Sequence, residues 1–173
     1  MCGGLHSRHR YGCSQPIQAR HYEYVRLLSE EQLTAQDPSH RQLLLEAALH
    51  ACDVGNPALE FDDYIYWANV VCMEFNDQTL VEEEQGLEPT EFLRFSSLPY
   101  FYLNQITFTS NVVLPLWKAL SLLASDPYTL RAVKNISFNA GRLRDSLRRN
   151  SEPMGVLQKY LTLALVKRND KSS

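Results

Sequence analysis

The sequence has little of what most often gives a function away. Its 173 residues carry four cysteines, Cys2, Cys13, Cys52 and Cys72, and no CxxC pair. Cys52 and Cys72 fall inside apolar helical patterns, where a thiol packs as a small hydrophobe, so a reducing compartment is the simpler reading. An excess of positive charge is lacking: 17 Lys and Arg against 20 Asp and Glu leave a net charge of −3. Nucleic acid is therefore not an expected partner, because gripping phosphates takes clustered cations. Long hydrophobic runs are lacking too. The most apolar stretch, from Asn111 to Ala124, is broken by Pro115 and Lys118 and falls short of the ~20 residues that span a bilayer, so no integral membrane segment is expected. The opening residues carry cations with no apolar stretch after them, which excludes a secretory signal and makes a cytoplasmic location the expectation.

Strand-like alternation is absent as well, which leaves an all-α helical bundle as the expected fold class. Residues 1–18 hold three of the seven glycines and no hydrophobic period; they read as a disordered arm outside the fold. Within that arm Cys2, His6, His9 and Cys13 have an irregular spacing that reads more simply as a loose tail than as a zinc site. The folded region is expected over 19–149, with an amphipathic segment and tail over 150–173. A first helix is predicted from Ala19 to about Ala35. Asp37 and Pro38 have the N-cap and first-turn chemistry of a second, mostly buried helix reaching about Val54, ended by Gly55 and Asn56-Pro57. A third is predicted from about Asp62 to Glu84, with Tyr64, Trp67, Val71 and Phe75 in one apolar stripe. Its Glu82, Glu83 and Glu84 point around the helix and read as a solvated face. A long helix bent at Pro115 should follow Pro99, and Asp126-Pro127 should cap another to about Arg149. A last amphipathic segment is expected over Val156 to Val166. The basic residues from Arg142 to Arg149 read as a solvated helix end.

The chemistry concentrates in ALHACDVGNP, residues 48–57. His50 and Asp53 stand three apart on one face at the C-terminal end of the second helix. A carboxylate there faces the negative end of the helix dipole and is disfavoured by about 0.3–1 kcal/mol unless a cation is near. A metal ion or a basic side chain would supply that charge.

ALHACDVGNP, then Trp67, then NQITFTSNVVLPLW resemble the class I 3′,5′-cyclic nucleotide phosphodiesterases, in the expected order from about Ala19 to Leu147. The resemblance covers the C-terminal half of that catalytic domain. It implies metal-assisted hydrolysis of cAMP or cGMP to the 5′-nucleotide at a divalent metal pair, zinc with magnesium or manganese. Asp53 is then the aspartate ligand and His50 a hydrogen-bonded supporting residue. Gln105 corresponds to the purine-selective glutamine, whose amide offers a donor and an acceptor to a base edge. Phe108, one turn on, can stack on the purine. Asn56 lines the nucleotide pocket, and Tyr64, Trp67, Val71 and Phe75 form its apolar wall. His21 fits a histidine that follows the family's two histidine-rich motifs.

Those motifs, an HD pair included, and the histidine that protonates the leaving O3′ have no counterpart in this sequence. The expectation is a chain that binds divalent metal weakly, shows no hydrolysis by itself, and exposes apolar helices that seek a partner or a second copy. The alternative function is a non-catalytic helical binding or dimerisation module.

Overall fold

The structure, a computed structural model, describes residues 14–30, 33, 36–89, 93–95 and 97–149, and side chains from residue 19 onward. The zinc-like spacing over residues 2–13 and the amphipathic segment 156–166 lie outside the described residues. Among the described residues all regular structure is helical. Six α-helices follow in order: α1 (Ser14–Glu30), α2 (Pro38–Asp53), α3 (Phe61–Glu84), α4 (Leu98–Phe108), α5 (Leu114–Leu123) and α6 (Pro127–Arg149). A 3₁₀ turn, Asn56–Ala58, joins α2 to α3, and a π turn, Thr109–Val113, joins α4 to α5 without a break. The all-α expectation holds.

The caps are those the sequence announces. Asp37 accepts from the Ser39 and His40 amides with Pro38 next in line. Asp126 accepts from the Tyr128 amide at 2.8 Å and the Thr129 amide at 3.2 Å, ahead of Pro127. Each satisfies amides that the first helical turn leaves unpaired. α3 ends in a Schellman turn: Leu87 N–H donates to the Glu82 carbonyl and Gly86 N–H to that of Glu83, with Gly86 at φ +68. A glycine takes that left-handed conformation without a Cβ penalty.

Four expectations are corrected. α1 begins at Ser14, ahead of Ala19; Pro16 falls in its first turn, where a missing N–H costs no helical bond. α2 buries only Ala47 and Ala51, while Leu45 and Leu49 are 63% and 66% exposed, so it lies on the surface with Cys52 exposed. The inner face of α3 runs through Phe61, Tyr64, Ile65, Ala68 and Cys72. Trp67 is turned away from it and 47% exposed, because a helix face is set by position on the 100° wheel and not by which side chains are largest. The anticipated bend at Pro115 is resolved upstream: Leu114 N–H bonds the Thr109 carbonyl, five residues back. The wider π register accommodates a proline that can neither donate to its i−4 carbonyl nor tolerate its approach.

Two cores result. One joins α3, α4 and α6 through Phe61, Tyr64, Phe101, Tyr102 and Leu143. The other joins α1, α2 and α5 through Tyr24, Leu28, Ala47, Ala51 and Leu116. The α4–π–α5 rod passes through both, and α6 packs along it. That rod, Leu98–Leu123, is 26 residues long with an 18-residue stretch of mean hydropathy 1.3, and is long and apolar enough to cross a membrane on length and composition. Phe101, Tyr102, Val113 and Leu116 of the rod are buried within the bundle.

Candidate functional site

Gln105 lies on α4, one turn before the π turn, and its amide is held by two side chains of α3. The Tyr64 hydroxyl donates to Oε1 at 3.2 Å. Thr109 Oγ1 lies 3.0 Å from the same hydroxyl. Because the tyrosine proton is committed to Gln105, threonine is the donor in the second bond. Gln105 Nε2 in turn faces Cys72 Sγ at 3.7 Å. Burial pushes the Cys72 thiol up to about 12, with the Gln105 contact opposing, so it stays protonated. Burial likewise raises the Tyr64 phenol, which stays a donor. The amide retains one lone pair on Oε1 and one hydrogen on Nε2, the donor–acceptor pair that a purine edge requires. Phe108 closes α4 one turn later and is half-buried. Of the expected wall, Tyr64 is buried, Val71 and Phe75 are half-buried, and Trp67 stands outside the inner face.

The second group sits at the end of α2. Asp53 is the last residue of that helix and is exposed. No ion pair to it forms among the described residues, so the basic side chain that would offset its unfavourable place on the dipole is not supplied there. His50, one turn earlier, meets His21 of α1, with His21 Nδ1 and His50 Nε2 2.9 Å apart. His21 is buried, and its Nε2 has no partner of good geometry. Burial, and then the neighbouring His50, lower its pKa, while the Val112 backbone opposes. Val112 lies in the π turn, so His21 stands between the Asp53-bearing helix and the rod that carries Gln105.

Asn56 opens the 3₁₀ turn and is half-buried. The turn is pinned from α6. Asn139 Nδ2 donates to the Pro57 and Leu59 carbonyls, both at 2.9 Å, and Asn135 Nδ2 to that of Ala58 at 3.0 Å. Gly55 is packed on α2: a Cβ there would lie 2.9 Å from the Cys52 carbonyl oxygen and 3.0 Å from that of Ala51. The structure thus gathers Tyr64, Cys72, Gln105 and Thr109 into one bonded set. His50, Asp53 and Asn56 lie outside that set: His50 meets His21, Asp53 is exposed at the end of α2, and Asn56 opens the turn that α6 pins. Thr109, Asn135 and Asn139 escape sequence reasoning, although the polar periodicity of 135 and 139 on the inner side of α6 is a signal in retrospect; the resemblance picks out His21 but not its pairing with His50.

A divalent pair does not fit the described residues on their own. Among them no group of three His, Cys, Asp or Glu side chains is placed to hold an ion, and a catalytic centre takes about three protein ligands and an open position. Asp53 is one suitable ligand, not a site.

The comparisons with known proteins agree with the helical architecture. The chain is 32% identical over 98 residues to "cGMP-specific 3′,5′-cGMP phosphodiesterase 3" of Dictyostelium discoideum, covering 56% of this chain and 21% of that protein. It is 25% identical over 146 residues to "cGMP-specific 3′,5′-cyclic phosphodiesterase alpha" of Plasmodium falciparum, covering 81% of this chain and 15% of that one. It therefore spans less than a quarter of the length of these curated relatives. Its fold matches LmjPDEB1 in complex with IBMX at a TM-score of 0.65 and 20% identity, over 78% of this chain and 39% of that one. The phosphodiesterase domain of the RhoPDE fusion protein from the choanoflagellate Salpingoeca rosetta matches at 0.65 and 24% identity, over 79% and 42%. The family model for 3′,5′-cyclic nucleotide phosphodiesterase matches residues 14–136, most of the chain, and the chain belongs to that family.

Proposed function

We propose that this chain forms the base-reading part of a cyclic nucleotide phosphodiesterase site. The observation that carries this reading is the Gln105 amide, oriented by Tyr64 with Thr109 behind it and left with one donor and one acceptor for a purine. Phe108 stacks on the base, Asn56 contacts the nucleotide, and Tyr64, Val71 and Phe75 back the pocket, with Trp67 at its rim. The ligand is a 3′,5′-cyclic nucleotide, cAMP or cGMP; the names of both relatives favour cGMP.

Asp53, supported by His50, contributes one carboxylate to a divalent ion, zinc or magnesium or manganese. The other ligands and the leaving-group acid come from outside the described residues. A cytoplasmic setting suits the free thiols of Cys52 and Cys72. The test is direct: the purified full chain is given cGMP and cAMP with zinc and magnesium. Saturable binding without 5′-nucleotide product is the expected result, and absence of binding to either nucleotide overturns the reading.

One observation favours a second reading, a helical binding or dimerisation module. Leu45 and Leu49, one turn apart on α2, and Tyr22 on α1 are exposed. Apolar area of this kind is usually covered by a partner, which under the first reading is the remainder of a catalytic domain and under the second another copy. Sedimentation separates them: a dimer that Leu45→Asp and Leu49→Asp dissolve, in a chain that ignores nucleotide, supports the module.

A further inference from the structure

Asn139 is fully buried on α6 among Ala132, Ile136, Ala140 and Leu143, an otherwise apolar face. Its amide spends both hydrogens on the Pro57 and Leu59 carbonyls. Its Oδ1 is buried with no hydrogen-bond partner. An orphaned buried carboxamide oxygen is destabilising, so the position carries a donor at a cost to stability. What the donor secures is the turn that begins with Asn56. The turn's own bonds are local, from Ala58 N–H to the Gly55 carbonyl at 2.8 Å and from Leu59 N–H to that of Asn56 at 3.1 Å. They shape the turn without saying where it sits. Asn139 and Asn135 tie it to α6, the helix that also packs along α4 and sends Leu143 into the core containing Tyr64 and Phe101. One rigid element therefore backs both the Asn56 turn and the Gln105 helix.

We infer that Asn139, assisted by Asn135, is a positioning residue that sets Asn56 relative to Gln105 and thereby tunes cyclic nucleotide affinity. This rests on the nucleotide site proposed above. It acts through the turn and touches no ligand.

The experiment uses the full chain, with cGMP as the probe and two readouts, amide hydrogen exchange at Ala58 and Leu59 and the cGMP dissociation constant. Asn139→Leu keeps the volume and removes the donor. It is expected to speed exchange at the turn by about tenfold or more and to weaken cGMP by about tenfold. Leu28→Ala, from the separate core of α1, α2 and α5, is the control for general destabilisation and should leave both readouts within about twofold. Should Asn139→Leu fail to fold, Asn135→Ala provides the milder case, with smaller changes of the same sign. Unchanged exchange at Ala58 and Leu59, or equal effects from Leu28→Ala, overturns the inference. Failure of the unaltered chain to bind cGMP overturns the nucleotide site instead, and the exchange data then decide the positioning of the turn by themselves.

Discussion

The Tyr64 hydroxyl donates to Gln105 Oε1 across 3.2 Å of buried space, linking α3 to α4 at the residue proposed to read the base. Removing that proton leaves the Gln105 oxygen and the Thr109 hydroxyl both short of a partner. Tyr64→Phe should therefore cost about 1–2 kcal/mol of stability and free the amide to turn. Urea denaturation measures the first effect and cGMP affinity the second. Loss of stability with unaltered affinity would show that the amide needs no steering.

Asp53 lies at the carbonyl end of α2 with no ion pair among the described residues. Neutralising it should relieve an unfavourable dipole interaction, so Asp53→Asn is expected to gain about 0.3–1 kcal/mol without metal. The same change should abolish any rise in melting temperature that manganese gives the unaltered chain. A variant that is destabilised in EDTA would mean the carboxylate has a structural partner.

Gly55 has no positive φ; its constraint is space. A Cβ would meet two backbone oxygens of α2 at 3.0 Å or less, and backbone cannot swing aside as a side-chain tip can. Gly55→Ala should cost about 1–3 kcal/mol, measurable by thermal melting. A neutral outcome would show that the junction between α2 and the Asn56 turn yields easily.

His21 gives the fold a pH dependence of definite sign. Burial and His50 hold its pKa below the ordinary 6.5, so the unfolded chain binds this proton first. The stability that the neutral ring contributes is complete above about pH 6.5 and is lost as the pH falls from there toward the folded-state pKa. From this one group the slope is at most about 1.4 kcal/mol per pH unit. His21→Asn, which does not titrate, should flatten the melting curve between pH 7.5 and 5.5. Equal slopes in both proteins would remove His21 as the cause.

What the sequence disclosed divides along the range of the interactions involved. Asp37-Pro38 and Asp126-Pro127 announce helix starts because a cap bonds amides two and three residues away. Asp53, Asn56 and Gln105 stand out through local motif order. The face of α3 was misjudged because Trp67 is large and apolar, while the helix presents Ala68 and Cys72 to the core instead. Pro115 marked a disturbance but not its form, since a π turn upstream absorbs it as well as a kink does. The bonds of Asn139 and of His21 are not legible because their partners lie 80 and 29 residues away, one of them a backbone carbonyl that no side-chain pattern records.

The most direct measurement follows the Gln105 side-chain amide by ¹⁵N NMR while the full chain is titrated with cGMP. Base reading by this amide predicts saturable movement of its signals and at least about tenfold weaker binding by Gln105→Ala. Signals that stay still at saturating nucleotide, or an alanine variant that binds as well as the unaltered chain, would contradict it.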